Sequence, residues 1–187
     1  MMSYNLALQH RPDEAASTVC SPNAPDAALD VIDIDTRFGR IRFDRRRDIS
    51  MPRGMPGFPG IHLYGIAGLP DPRFAQFLVL QSLERPTLSF LLLPEASPDL
   101  RIEPEHRSAA ARDLGIAEDD LALAFVVAIR KAHDGAEISV NLRAPLLVDV
   151  PHRSAWQHIL PYGDYSVRHL INREGSREPG QARPSAP

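Results

Sequence analysis

Glu137-Ile-Ser-Val-Asn-Leu-Arg143 alternates polar and apolar side chains, and this period of two decides the fold class. Alternation places the apolar side chains on one face of a β-strand and the polar ones on the other. The same pattern occurs in Val31-Ile-Asp-Ile-Asp35 and in Arg40-Ile-Arg-Phe43. Strands that are buried on both faces, or bent across a core, are predicted for three continuous apolar stretches bounded by breakers such as proline, at residues 77–80, 88–93 and 146–150.

The middle of the chain carries the helical signals. Residues 108–114 are rich in helix formers, so a short helix is predicted, with Ser108 as its N-cap and Gly115 as its stop. Glu118-Asp-Asp120 is expected to begin another helical turn. The apolar run Leu121–Ile129 fits either a helix or a strand, but its Phe, Val and Ile residues favour a strand.

A hairpin turn is predicted at His133-Asp-Gly135, between that strand and residues 137–143. With it, the pattern gives about eight short strands, which is typical of a barrel or a sandwich. We expect a mainly β, single-domain, barrel-like fold with one or two short helices. A barrel is favoured because closure leaves no exposed sheet edge in so small a chain.

Composition predicts one ordered domain between two tails. The chain has 187 residues, 43% of them hydrophobic, which is enough for a single core. Residues 1–30 and 172–187 hold too few large apolar side chains to offset the entropy lost on ordering. We therefore expect disordered tails at 1–30 and 172–187, and the barrel within residues 31–171.

Charge and hydropathy limit the surroundings and partners of the chain. The formal net charge of −3 argues against a direct nucleic-acid or membrane-surface partner. The longest apolar run has nine residues, whereas a membrane-spanning helix needs about 20. Because the first residues also lack the pattern of a signal peptide, we expect a soluble, cytoplasmic protein.

A search for catalytic chemistry finds no motif that carries it. The sequence has no phosphate-binding glycine loop, no His-Glu-x-x-His and no Gly-x-Ser-x-Gly. The single thiol, Cys20, lies in the predicted tail. His152 and His158 would lie about 20 Å apart along an extended strand, too far for one zinc ion. We expect no catalytic residue, no cofactor and no metal site, and hence a protein that is not an enzyme.

The basic run Arg45-Arg-Arg47 is open to two interpretations. Its flanking Asp44 and Asp48 favour a solvated turn over a phosphate site. Arg42 and Arg46 also have the Arg-x-x-x-Arg spacing of PilZ-type barrels, which bind cyclic di-GMP. Those domains need a later Asp-x-Ser-x-x-Gly. Here Asp48-Ile-Ser50 follows at once and the glycine comes one residue too late, so a cyclic di-GMP receptor stays an alternative.

The stretch Met51-Pro-Arg-Gly-Met-Pro-Gly-Phe-Pro-Gly60 must form a shaped loop. Three prolines and three glycines in ten residues exclude regular strand or helix. If Gly57 adopts a positive φ, it cannot be replaced without strain. Phe58 is either a core anchor, which we favour, or an exposed contact for a partner.

This loop resembles a known family signature. Arg53-Gly-Met-Pro-Gly-Phe58 is similar to the Gly-Ile-Pro-Gly-Phe of FliW-type flagellar assembly factors. Thr36-Arg-Phe-Gly-Arg40 is similar to the first strand and glycine turn of that family. Further stretches resemble other elements of the family and occur in the same order: Phe77-Leu-Val-Leu-Gln-Ser82, Pro86-Thr-Leu-Ser-Phe90, Asn141-Leu-Arg-Ala-Pro145 and Tyr165-Ser-Val-Arg-His-Leu170.

The resemblance implies a non-catalytic, barrel-like domain, and we expect a monomer. FliW-type proteins bind flagellin in the cytoplasm and also bind CsrA, the repressor of flagellin translation, in competition with it. This chain has Met51 where the family usually has phenylalanine, and it has longer tails. Residues 31–171 hold 18 acidic and 17 basic side chains, whereas better-known members are markedly acidic. That near-neutral balance weakens the expectation of CsrA binding, so a flagellin chaperone with no CsrA role stays open.

Six residues are candidates for partner binding, and each has a structural alternative. Asn141 is predicted on the polar face of its strand, where a partner or a neighbouring strand can reach it. Gln81 ends an apolar strand and could satisfy buried backbone groups instead. Arg168 and His169 either bind a partner or close the barrel. The full set of candidates is Gly57, Phe58, Gln81, Asn141, Arg168 and His169.

Overall fold

The computed structural model describes residues 30–95, 100–133 and 135–171. Residues 1–29 and 172–187 of the two expected tails lie outside the described residues, and so does Cys20. The described ranges contain one α-helix, α1 (Pro104–Leu114), and eleven strands: β1 (Val31–Thr36), β2 (Gly39–Asp44), β3 (Ile49–Ser50), β4 (Leu63–Gly68), β5 (Leu78–Ser82), β6 (Ser89–Pro94), β7 (Leu121–Ala132), β8 (Gly135–Val140), β9 (Leu146–Asp149), β10 (Ser154–Gln157) and β11 (His169–Leu170).

The long strand β7 closes the sheet into a barrel. One edge of β7 pairs with β6, and its other edge pairs with β9 near its start and with β8 near its end. The pairing order β7-β6-β5-β4-β3-β10-β9 therefore returns to β7 and forms a ring of seven strands. Every contact in the ring is antiparallel except the single parallel pair of Ser154 in β10 with Ser50 in β3. The predicted mainly β, barrel-like fold is confirmed.

The barrel interior is one buried apolar cluster to which all seven ring strands contribute. Alternation along each strand sends every second side chain inward. Tyr64 and Leu80 are among the largest of these side chains, and both are completely buried. The cluster consists of Ile49, Met51, Met55, Ile61, Tyr64, Ile66, Leu78, Leu80, Leu92, Ala124, Leu146, Val148 and Ala155.

A second core covers the outside of the sheet. The β1–β2 hairpin and α1 pack there against the alternate side chains of β5, β6 and β7. Phe43 of the hairpin and Phe125 of β7 are fully buried at its centre. With a core on both faces, β5 is buried throughout its length, as its continuous apolar sequence predicts.

Two predicted boundaries are wrong. The helix begins at Pro104 rather than after Ser108, because proline at the first helical position has its φ already set and needs no hydrogen-bond partner. β8 ends at Val140 rather than at Arg143, because the Asn141 side chain turns the chain there. Gly115 does end the helix, with the left-handed φ of +69° expected of a C-terminal glycine.

The remaining local predictions for the middle of the chain agree with the structure. Glu118–Asp120 forms a short 3-10 turn, and the run that follows is strand β7. β7 and β8 form the predicted hairpin, with Ala132 opposite Gly135. No helix among the residues that the structure describes is long and apolar enough to cross a membrane.

Candidate functional site

The proline- and glycine-rich stretch closes one end of the barrel. We call residues 51–62 the cap loop. Met51, Met55 and Ile61 point from it into the interior cluster and are buried. Short backbone hydrogen bonds fold the loop on itself, from Gly54 N to Met51 O (2.8 Å) and from Phe58 N to Met55 O (2.7 Å). The loop thus has a defined fold, as its composition predicts.

Two glycines give the cap loop its shape. Gly57 has a φ of +88°, which confirms the expected positive φ. Gly54 has a φ of +64°, and a Cβ atom there would lie 2.5 Å from the carbonyl oxygen of Phe58. Because that neighbour is backbone, it cannot move aside without changing the loop. Gly54 is therefore the more restricted of the two positions.

A carboxylate that the sequence analysis missed ties the cap loop to the turn between β5 and β6. Glu84 Oε2 accepts hydrogen bonds from the backbone N–H groups of His62 and Leu63, the second at 2.8 Å. These two donors, that of Leu63 first, hold the pKa of Glu84 below its usual range. No local pattern signals this contact, since Glu84 and His62 are 22 residues apart.

Gln81 supports the same turn from inside. Its side chain is 0% exposed, and its Nε2 donates to the carbonyl oxygens of Ser82, Pro86 and Leu88. Gln81 therefore has no exposed surface with which to contact a partner directly. It satisfies buried backbone carbonyl groups instead, because β5 is covered on both faces and such groups need donors.

Phe58 combines the two roles considered for it. Its ring meets that of Phe90 edge to face, with centroids 5.9 Å apart, and it packs against the interior cluster. The side chain is nevertheless only half-buried, as are Phe90 and the neighbouring Leu88. Phe58 thus anchors the cap loop and leaves part of its ring at the surface.

Asn141 is a turn residue rather than part of a polar strand face. Its Oδ1 accepts hydrogen bonds from the backbone N–H groups of Arg143 and Ala144, each at 3.1 Å. Residues 141–145 therefore form a short loop between β8 and β9, the two strands that pair with the same edge of β7. The predicted strand position of Asn141 is wrong, because the amide competes with the strand for backbone donors.

Arg168 and His169 belong to what we call the closing segment, residues 161–171. β11 pairs there with the outer edge of β8, with His169 opposite Val140. Arg168 is exposed and forms an ion pair with Glu137 of β8. Because β7 and β8 separate β11 from β6, these two residues lie about 14 Å across the sheet from Phe90.

Aromatic contacts with the start of α1 hold the closing segment. The His106 ring stacks on Tyr162, with centroids 3.4 Å apart, and its Nδ1 lies 2.6 Å from the Tyr165 hydroxyl. That hydroxyl also accepts the backbone N–H of Glu103 at 3.0 Å. Burial raises the pKa of Tyr165, so the hydroxyl stays protonated at neutral pH.

Arg42 and Arg46, which have the spacing of a cyclic di-GMP site, are each already paired with an aspartate. Arg42 binds Asp33 through Nε (2.9 Å) and a terminal nitrogen (3.1 Å) on the β1–β2 hairpin. Arg46 binds Asp44 in the same two-point manner, at 2.9 Å for both contacts. This geometry favours the solvated-turn interpretation of the basic run. Within the described ranges, no group of three or more His, Cys, Asp or Glu residues could hold a metal ion.

Comparison with known sequences decides the family. The sequence model of the FliW protein family matches residues 33–171. The flagellar assembly factor FliW of Natranaerobius thermophilus is 30% identical over 146 residues, which cover 76% of this chain and 94% of that protein. Its counterpart in Ruminiclostridium cellulolyticum is 32% identical over 143 residues, which cover 74% and 93%. This chain belongs to the FliW family of flagellar assembly factors.

The fold agrees with that of a solved FliW protein. A crystal structure of the flagellar assembly factor FliW matches this chain with a TM-score of 0.60 and 26% sequence identity, over 78% of this chain and 99% of that one. The predicted resemblance is confirmed. In this FliW-family chain, three of the stretches that carried it meet at the closed end of the barrel: the cap loop, the end of β5 and the turn into β6.

Proposed function

We propose that this FliW-family chain is a non-catalytic binding protein that holds flagellin in the cytoplasm. When flagellin is exported, the freed protein captures CsrA and relieves repression of flagellin synthesis. One observation carries the proposal: the family match spans residues 33–171 and is shared with proteins named flagellar assembly factors.

The architecture suits a partner switch because it offers a rigid surface. The cap loop is fixed by two glycines at positive φ, by its buried apolar side chains and by the Glu84 carboxylate. Little conformational entropy is therefore lost when a partner binds. A switch must also release each partner. We therefore expect dissociation constants from nanomolar to micromolar, about −12 to −8 kcal/mol.

A second candidate function is a flagellin chaperone with no role in CsrA control. The observation that favours it is the charge balance of residues 31–171, 18 acidic against 17 basic side chains. A surface close to neutral steers a charged partner weakly. If this is the function, the chain binds flagellin and does not bind CsrA.

The test is calorimetry on the full chain without added nucleotide or metal. Flagellin of the same organism is titrated alone, then CsrA alone, and then CsrA into the flagellin complex. Binding of both with competition is the expected result, and binding of flagellin alone leaves the chaperone function. If a folded sample binds neither, the proposal is wrong, and a titration with cyclic di-GMP then tests the receptor alternative.

A further inference from the structure

An apolar surface lies beside the cap loop. Phe58, Leu88 and Phe90 each pack against the interior cluster and remain partly exposed. Phe58 and Phe90 are in edge-to-face contact, so the patch is continuous across the cap loop and β6. We call this patch, with the cap loop and the turn at residues 83–88, the cap end.

The charged side chains around the patch have a positive balance, two arginines against one glutamate. Arg53 of the cap loop and Arg85 of the turn are exposed, and neither has a carboxylate within ion-pair distance among the residues that the structure describes. The carboxylate of Glu84, in the same turn as Arg85, keeps its negative charge but accepts two backbone N–H groups rather than pairing with either arginine. The cap end therefore presents two arginines without an ion-pair partner in the described part of the chain, on the same loop and turn as the partly exposed Phe58 and Leu88.

The β1–β2 hairpin shows the contrast. Its Arg42 and Arg46 are each neutralised by a neighbouring aspartate in a two-point ion pair. The whole chain carries a formal charge of −3, so a locally positive cap end is not a consequence of its composition. The cap end thus combines positive charge with apolar surface, and the two together define the chemistry of a partner that would bind it.

We propose that the cap end is the docking site for flagellin, and that it takes a flagellin segment in which apolar side chains are flanked by carboxylates. The apolar side chains cover Phe58, Leu88 and Phe90, while the carboxylates pair with Arg53 and Arg85. This inference rests on the proposed function, since it assigns a surface and a segment chemistry to that partner. A surface that is held in place before binding loses little conformational entropy when the partner docks, which favours affinity.

The experiment uses calorimetry with flagellin and paired charge variants of the full chain. Arg53→Gln/Arg85→Gln should weaken binding, and Arg53→Glu/Arg85→Glu should weaken it further, by about tenfold or more relative to the wild type. The matched control is Arg37→Glu/Arg112→Glu, which makes the same charge change at exposed sites on the hairpin and on α1. It should bind as the wild type does.

The outcomes separate this inference from the proposed function. Failure of the wild type to bind flagellin overturns the function itself. Binding by the wild type with equal losses in both Glu pairs, or with no loss in either, overturns only the cap-end assignment. Sedimentation of each variant alone tests a second copy of the chain as occupant. A wild-type dimer that dissociates in Arg53→Glu/Arg85→Glu would also overturn the assignment to flagellin.

Discussion

The cap loop and the closing segment both contain sequence typical of the FliW family, but different forces hold them in place. The cap loop is shaped by its backbone, through Gly54 and Gly57 at positive φ and through hydrogen bonds within the loop. The closing segment is held by contacts with other elements, namely the pairing of β11 with β8 and the contacts of His106 with Tyr162 and Tyr165. A family signature can therefore specify a backbone path in one place and a set of side-chain contacts in another.

This difference has a consequence for mutation. A backbone path at positive φ admits glycine and little else, so one substitution disturbs the entire loop. Side-chain contacts can be removed one at a time, and each removal affects only the groups that shared that contact. The cap loop should therefore respond sharply to single changes and the closing segment gradually.

Among changes in the cap loop and the closing segment, the largest effect is expected from Gly54→Val. The new side chain must adopt a φ near +64° and its Cβ meets the Phe58 carbonyl oxygen, so we expect a loss of roughly 3 kcal/mol in the free energy of unfolding. Urea denaturation measures it. Gly60→Ala is the control, because its Cβ would meet open space, and it should cost well under about 1 kcal/mol. Equal losses for the two variants would contradict backbone control of the loop.

Phe58→Ala should come next, with a loss of about 2 kcal/mol. Truncating a fully buried phenylalanine costs about 3–5 kcal/mol, and this ring is half-buried. Phe43→Ala provides the matched comparison, since Phe43 is 0% exposed and should show the full loss. If denaturation gives Phe58→Ala the larger effect, the ring is a deeper anchor than its exposure indicates.

A smaller effect is expected in the closing segment from Tyr165→Phe. The change removes the hydroxyl that Glu103 N–H and His106 Nδ1 contact and leaves the ring, which should cost about 1 kcal/mol. Tyr162→Phe retains the stack on His106 and should be nearly neutral by the same denaturation assay. Equal costs in both variants would show that the hydrogen bonds do not hold the segment.

The smallest effect is a pH dependence from Glu84. Its pKa is lower in the folded chain than in the unfolded chain, so its contribution to stability is present above the unfolded pKa, about 4.3. That contribution is lost as the pH falls through the lower, folded pKa. The melting-temperature difference between the wild type and Glu84→Gln should be constant from pH 7 to pH 5 and shrink towards pH 3. A difference that grows on acidification would contradict the assignment.

The sequence predicted what depends on neighbouring residues and missed what depends on distant ones. Alternation and apolar runs located β1, β2 and the strands from β5 to β9, whereas β3, β4 and β11 were not predicted. The proline and glycine content identified the cap loop as a shaped element. Asn141 was misplaced because its polar side chain fits the alternation, although it bonds to the backbone two and three residues ahead.

The candidate site was predicted only in part for the same reason. Phe58 and Gly57 stood out through their loop, whereas Glu84 acts on a backbone 22 residues earlier in the sequence. Gln81 was recognised as a polar residue at the end of an apolar strand, but its burial depends on the cover that the outer core and the following turn provide. Closure of the barrel likewise requires β8 and β9 to share one edge of β7, which no local pattern encodes.

The most direct test of the account is amide hydrogen exchange of the full chain with and without saturating flagellin. Protection should increase in residues 51–62 and 83–90, because the partner covers the cap end, and should stay unchanged in the β1–β2 hairpin and in the closing segment. Protection that increases in residues 161–171 or in the hairpin, with the cap end unchanged, would contradict the account.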